Sequence, residues 1–330
     1  MPPIANWRLL SDQNKENWNA GNGGDLVKHT VYLATLRFLL AREPWSQGLH
    51  LRECHAGRGI YPIAAGDARR RLLSCLYSDP SKTNEILLQR IQHDILNALG
   101  CWPETIKNPR WYAGSGLINA FTLAKSKNPA HLLELYELNP QTRRILCFTL
   151  SDLQLEEKLR WSAPAPENEE DEFDGESYIE RHVGEWKKQD VVLLDPFAMW
   201  RQPADQFKRD RYGAVIQGLL GRGADAPSLI LFWTWGRAFP VADGDLNGTN
   251  HPVRNGYQEL RAKLHNAGFR FVRVTWRWGL QFAMWIVVAE EHLAALRDEI
   301  GMHCRLLRDH LILHGCGRDL PHPIGNVAID

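Results

Sequence analysis

Two short strand-to-turn junctions, far apart along the chain, constrain the fold more than any other feature. The first is Leu49-His50-Leu51-Arg52-Glu53-Cys54-His55-Ala56-Gly57-Arg58-Gly59, a strand-like run that ends in a two-glycine turn. The second is Asp190-Val191-Val192-Leu193-Leu194-Asp195-Pro196-Phe197, an apolar run that delivers a carboxylate. Glycines lack a Cβ, so such a turn lets a bound group approach the backbone. A continuous apolar run reads as a strand buried on both faces, and Asp195 leaves it at the carboxyl end. Ligands of open α/β sheets bind at the carboxyl ends of the strands. The two junctions therefore predict a nucleotide-like cofactor beside a reacting substrate.

The rest of the chain fits that frame. A glycine-rich stretch over 19–24 precedes a helix running to about residue 42, with Gly24 or Asp25 as its cap and Pro44 beyond it. Strands are expected over 49–54, 131–138, 191–194 and 228–235, with a hairpin over 269–278 and 281–289. Helices over 115–125, 142–150, 177–186, 204–220 and 257–266 alternate with these strands. The segment 61–110 reads as a helical insertion, with a strand-like stretch over 72–77 and a helix over 81–99. An acidic linker spans 164–175, and a C-terminal helical extension starts near Glu291. Alternating strands and helices imply a single α/β domain over 1–330. Its mostly parallel sheet has seven strands and helices on both faces, with the insertion (61–110) and the extension (290–330) as appendages. No internal repeat is evident.

Composition narrows the setting. The 330 residues carry 39 basic and 39 acidic side chains, so no global charge marks a nucleic-acid binder. A local basic face is still allowed, and Arg69-Arg70-Arg71 and Lys187-Lys188 are its candidate pieces; a solvated surface is the plainer reading of each. Six cysteines, with no C-x-x-C pair, indicate neither a zinc site nor a disulfide framework. No apolar run reaches the ~20 residues needed to cross a bilayer. The polar N-terminus has no signal-peptide core. A cytoplasmic protein without a membrane role is expected.

Several blocks carry candidate chemistry. His55-Ala56-Gly57-Arg58-Gly59 lacks the third glycine of a dinucleotide fingerprint, and by itself could be an ordinary tight turn. Glu137, at the tip of the next strong strand, stands where α/β nucleotide folds hold ribose hydroxyls, or simply ends a strand. Asp174-Gly175 could meet an adenine edge or end the linker. Asp195 emerges from a buried strand, and a buried carboxylate needs a specific donor. Lys28 and His29 sit inside the first helix, either over the cofactor or as a surface lysine and a partly buried histidine.

Taken together, the blocks resemble the RlmJ family of S-adenosylmethionine-dependent methyltransferases, which modify an adenine N6 of large-subunit ribosomal RNA. The resemblance rests on Gly21-Asn22-x-x-Asp25-x-x-Lys28-His29, His55-Ala56-Gly57-x-Gly59, Trp111-Tyr112-x-Gly114-Ser115, Glu137-Leu138-Asn139-Pro140, Asp174-Gly175 and Leu194-Asp195-Pro196, in that order. It implies a class I methyltransferase (Rossmann-like) fold with S-adenosylmethionine over the first glycine turn. Lys28, His29, His55 and Ser115 match family positions around the cofactor, Glu137 the ribose acid, and Asp174 and Gly175 the adenine contacts. Asp195 matches the acid of the catalytic Asp-Pro-Pro-Tyr motif. With the Pro196 carbonyl it would accept hydrogen bonds from an exocyclic amine and aim the nitrogen lone pair at the sulfonium methyl. The resemblance thus implies a nucleic-acid substrate, RNA ahead of DNA, and no metal; a monomer is the expected state.

Two departures bear on the acceptor. The motif continues Phe197-Ala198 where the family has Pro-Tyr, and alanine cannot stack a flipped base. Phe197, Trp200, Trp233 and Trp235 are the candidate aromatic replacements. The family's tyrosine upstream of the Gly-Asn block is also missing here. A methyltransferase acting on a protein or small molecule, and a non-catalytic cofactor-binding protein, are the alternatives.

Overall fold

A computed structural model describes residues 21–63, 67, 69–78, 85–103, 109–137, 139–155, 160–162, 181–195, 216, 218, 221, 226–235, 261–278, 280–316 and 326–330. The chain opens with α1 (Gly23–Leu40) and the short α2 (Trp45–Gly48), then β1 (His50–Glu53) and β2 (Ile60–Pro62). Next come α3 (Arg69–Leu76), α4 (Leu87–Ala98), β3 (Trp111–Ala113), α5 (Ser115–Ser126), β4 (Leu132–Leu135) and α6 (Pro140–Asp152). Strands β5 (Arg160–Ser162), β6 (Asp190–Leu194), β7 (Ser228–Trp235), β8 (Phe271–Trp278) and β9 (Leu280–Val287) follow. The long α7 (Glu290–Leu311) and β10 (Asn326–Ile329) close the chain.

The strands form one mixed sheet in the order β5-β4-β1-β6-β7-β9-β8-β10, and β2 pairs separately with β3. From β5 to β7 every neighbour is parallel. From β7 to β10 every neighbour is antiparallel. Among the described residues the sheet therefore has eight strands rather than seven, and the C-terminal extension ends in a strand instead of being wholly helical. β10 adds to the edge of β8, where Phe271 and Asp330 exchange backbone hydrogen bonds.

Helix α1 shows why the layers assemble. Asn22, not Gly24 or Asp25, is its N-cap: the Asn22 side chain accepts the Asp25 N–H at 3.0 Å. Asp25 in the first turn complements the helix dipole. Apolar residues surround the helix on all sides, so it is buried, packing against α4, α5, α7 and the β8-β9 hairpin. Each fully buried Leu or Val there contributes roughly 1.5–3 kcal/mol. The expected strand over 72–77 is the helix α3 instead. Leu72, Leu73, Cys75 and Leu76 are its buried residues, a three- and four-residue spacing that makes one helical stripe.

Register divides the sheet into two unlike faces. Leu51, Leu133, Val191, Leu193 and Ile230 share the face covered by α1 and join the main core. Glu53 lies on this apolar face, two residues beyond Leu51. The other face carries His50, Arg52, Glu134 and Asp190 at its centre. No cysteine pairing was expected, yet Cys75 of α3 and Cys316 form a disulfide, with Cα atoms 6.5 Å apart. The fold brings together two residues 241 positions apart, a contact that no local spacing could signal.

Candidate functional site

Three strand tips meet at the carboxyl edge. β1 is central, paired with β4 on one side and β6 on the other. Glu53 ends β1, Glu137 follows β4 and Asp195 follows β6. Backbone bonds lace these tips together: Cys54 N–H to Leu193 O at 3.1 Å, and Ala56 N–H to Tyr136 O at 2.9 Å.

Asp195 has the specific donor its burial requires. Nζ of Lys28 lies 2.9 Å from Asp195 Oδ2 and 3.1 Å from Asp25 Oδ1. Burial of Lys28 opposes its charge, but the two carboxylates outweigh that and raise its pKa. The ammonium also stands 5.0 Å from the centre of the Phe232 ring on β7. Among the described residues none engages Oδ1 of Asp195, which leaves that oxygen available to a donor.

The glycine turn wraps beneath the β1 tip. Gly57 and Gly59 both have positive φ, +63° and +75°, which disfavours any side chain there. The Gly57 N–H donates to Glu137 Oε2 at 3.0 Å, and the Asn139 N–H donates to Oε1 at 2.9 Å. Burial raises the pKa of Glu137 despite these bonds. A Cβ on Gly57 would stand 2.1 Å from the Tyr61 hydroxyl, so the Tyr61 phenol walls the turn.

Two buried groups complete the inner wall. His29 Nδ1 lies 2.6 Å from the Tyr112 hydroxyl, and the two rings stack. Burial, helped by the Lys28 charge, drives the His29 pKa well down, while burial raises that of Tyr112. A neutral imidazole that accepts the phenol proton at Nδ1 carries its own proton on Nε2, which is buried with no hydrogen-bond partner. Glu53 is 0 % exposed. The Asn119 amide of α5 donates to its Oε2 at 2.6 Å, and the Ser115 side chain also hydrogen-bonds to the carboxyl. Burial pushes its carboxyl up to about 8, against the influence of Ser115 and Asn119.

Lys28, Ser115 and Asp195 thus gather around Glu53 and the β6 tip, His29 stacks on Tyr112, and Gly57, Gly59 and Glu137 form the adjoining turn. His55 follows β1 at the start of the turn, close enough to interact with Glu137. Asp174, Gly175, Pro196, Phe197, Ala198 and Trp200 lie outside the described residues, as do the side chains of Trp233 and Trp235. Sequence reasoning missed Glu53, Tyr61, Asn119 and Phe232. Glu53 carried a signal: it follows Leu51 by two on the core face, where an acid is out of place. Asn119 sits one helical turn after Ser115, and only the packing of α5 on β1 shows its role.

A second charged cluster occupies the opposite edge. Arg52 binds Glu134 at 2.8 Å and Asp190 at 3.2 Å, and His50 reaches Glu134 at 2.9 Å. A cleft of about 460 Å³ opens there, lined in part by His50, Arg52, Lys187 and Asp190. It lies at the amino ends of the strands, away from the glycine turn.

No family model matches the chain, and no curated protein matches it. Among solved structures it is similar to protein LPL1258 from Legionella pneumophila str. Philadelphia 1, which is assigned to family DUF519. That likeness has a TM-score of 0.60 at 16% identity and covers 94% of this chain and 98% of the other. At that identity it shows a shared fold alone. Among the described residues, no helix is long and apolar enough to cross a membrane. Among them, too, no group of three or more His, Cys, Asp or Glu could hold a metal ion.

The chemistry available at the carboxyl edge is that of positioning. A carboxylate held by a buried ammonium presents a second oxygen that no described residue engages. In the same wall, His29 Nε2 is a buried polar atom with no partner among the described residues.

Proposed function

We propose that this protein is a class I S-adenosylmethionine-dependent methyltransferase related to the RlmJ family. Its acceptor would be an amine on nucleic acid, the adenine N6 of RNA or DNA. One observation carries the reading: the glycine turn and Asp195 stand side by side where the strand order reverses. Counting only the parallel strands, the order β5-β4-β1-β6-β7 is 3-2-1-4-5, the doubly wound arrangement whose ligand crevice lies between strands 1 and 4. That crevice lies between the tips of β1 and β6.

The residues present suit the cofactor. Glu137 spends one acceptor on each of two backbone N–H groups and retains lone pairs for ribose hydroxyls. His29 Nε2 is buried with no partner among the described residues, as expected of an atom that serves a polar ligand. Lys28, His55 and Ser115 would border it, and Asp174 and Gly175 would meet the adenine. When bound, S-adenosylmethionine supplies an electrophilic methyl group on a sulfonium.

The protein's own part is orientation. Lys28 fixes Asp195 through Oδ2, so Oδ1 accepts one N–H of the acceptor amine and turns its nitrogen lone pair toward the methyl. Such preorganised electrostatics needs no covalent intermediate. Transfer of radiolabelled methyl to separate RNA, DNA and protein pools tests the reading. Incorporation into a nucleic acid that disappears in Asp195→Asn supports it. Incorporation only into protein would replace the acceptor, and none in any pool would count against catalysis.

A further inference from the structure

Helix α3 of the insertion packs against α7 and against the single wide turn that follows it, Ile312–Cys316. Gly315, at φ +89°, bends the chain there, and Cys316 meets Cys75 of α3. Polar bonds hold the same contact. Arg71 Nη2 donates to the Gly315 carbonyl at 3.3 Å, and His310 Nε2 lies 3.0 Å from Cys75 O and 3.2 Å from Leu76 O, carbonyls in the last turn of α3. The disulfide is therefore seated in an interface that does not depend on it alone. The other four cysteines are thiols.

Both states of this pair are catered for. With the bond open, the Cys75 thiol has the His314 carbonyl 3.2 Å from its sulfur, and the Cys316 thiol has the Arg71 carbonyl at 3.9 Å. The surrounding bonds keep the two sulfurs in register for closing again. The turn that carries Cys316 is at the surface, with Ile312 and Leu313 51% and 66% exposed, so its local opening admits a small thiol to sulfurs that are otherwise covered. A route leads inward from α3. The hydroxyl of Tyr77, the next residue, donates to Trp111 O at 3.3 Å, and Gln92 of α4 clamps Ala113 through its carbonyl and its N–H, at 2.7 and 2.9 Å. Between Trp111 and Ala113 on β3 stands Tyr112, the partner of His29 in the inner wall.

We propose that Cys75–Cys316 is a redox clasp. Closed, it fastens the insertion to the C-terminal extension and steadies β3; opened by a small thiol, it lets α3 and β3 open more often. The inference is independent of the methyltransferase reading. Opening takes two electrons from two molecules of a monothiol of the glutathione class. The thiolate of the first attacks one sulfur, breaks the Cys75–Cys316 bond and forms a mixed disulfide; the second resolves it and departs joined to the first. The two monothiol protons end on Cys75 and Cys316, and the oxidised monothiol reverses the sequence. A cross-link between residues 241 apart removes much of the freedom of the open chain. Its loss therefore makes separation of α3 from α7 easier.

The full-length native protein is equilibrated with oxidised and then with reduced glutathione, without denaturant. Alkylation followed by peptide mass analysis reads the state of Cys75 and Cys316, and hydrogen exchange by mass spectrometry is compared between the two samples. The pair is expected to close in oxidised glutathione, open in the reduced form and close again on return. Peptides covering α3 and β3 should exchange roughly tenfold faster or more when the bond is open. Peptides covering α6 should be unchanged. Cys316→Ser should exchange like the reduced wild type and ignore the glutathione ratio. A pair that never closes, a bond that stays closed in reduced glutathione, or equal exchange of β3 in the two wild-type samples overturns the proposal. The wild-type comparison needs no variant, so it stands even if Cys316→Ser fails to fold.

Discussion

Nζ of Lys28 lies 2.9 Å from Oδ2 of Asp195, tying the first helix to the tip of the central strand β6 across 167 residues. The bond makes one of the sharpest sequence signals, an acid leaving an apolar strand, dependent on a helix at the other end of the chain. Side chains of both residues are mostly covered, at 14% and 19% exposure.

Lys28→Met should therefore destabilise the protein by roughly 3 kcal/mol, the lower end for breaking a largely buried ion pair, because Asp195 and Asp25 lose their shared cation. Urea unfolding measures this, and Lys28→Arg should restore part of the loss. An unchanged midpoint in Lys28→Met would show that the pair holds nothing together.

Gly57 is constrained twice, by its positive φ and by the Tyr61 hydroxyl that a Cβ would meet. Gly57→Ala should cost about 1–2 kcal/mol from backbone conformation alone, plus the clash. Tyr61→Phe removes the hydroxyl and leaves the ring carbon at 3.4 Å, an ordinary contact. In a double-mutant cycle the cost of Gly57→Ala should thus be smaller in the Tyr61→Phe background. Additive costs would mean that Tyr61 does not pack on the turn.

The cluster at the opposite edge sets the pH range of stability. Burial opposes ionisation of Glu134 and Asp190, but His50 and Arg52 outweigh it and hold both carboxyls below their ordinary values. Their stabilisation is complete above about pH 4, the unfolded value, and is lost as the pH falls through the folded values. Burial likewise opposes protonation of His50, yet Asp190 and Glu134 raise its pKa. Its contribution is complete below about pH 6.5 and fades as the pH climbs through the raised value. Urea midpoints across pH should therefore show a shallower acid slope in Glu134→Gln and a shallower fall from neutral to alkaline pH in His50→Gln.

The Cys75–Cys316 bond predicts a thiol count. The protein purified without reductant and then denatured should expose four reactive thiols, those of Cys54, Cys101, Cys147 and Cys304, and six after reduction. Mass shifts after alkylation read both numbers. Six thiols before reduction would mean that the pair is open, as a reducing compartment favours.

The parallel half of the sheet was legible in the sequence because β4 and β6 are short, mainly apolar runs, and β1, β4 and β6 are each followed by turn residues. The anchors at its carboxyl edge were legible for the same reason: Gly57, Glu137 and Asp195 each mark where a strand stops. Misreadings arose where meaning depends on distant partners. The run from Leu72 to Tyr77 is apolar and short enough to suit a strand or a helix, and only its packing decides. Asn326–Ile329 becomes a strand because the β8 edge is there to pair with it. Glu53 stood in plain view within the first junction, but its burial and its closeness to Asp195 arise from three strands and two helices closing over it.

Calorimetric titration of S-adenosylhomocysteine into the wild type, repeated on Gly57→Val, tests the central claim most directly. The account predicts micromolar binding to the wild type that disappears in the variant, where a branched side chain meets both the strained φ and the Tyr61 hydroxyl. Wild-type protein that binds no S-adenosylhomocysteine, or a variant that binds it equally well, would contradict a cofactor site at the glycine turn.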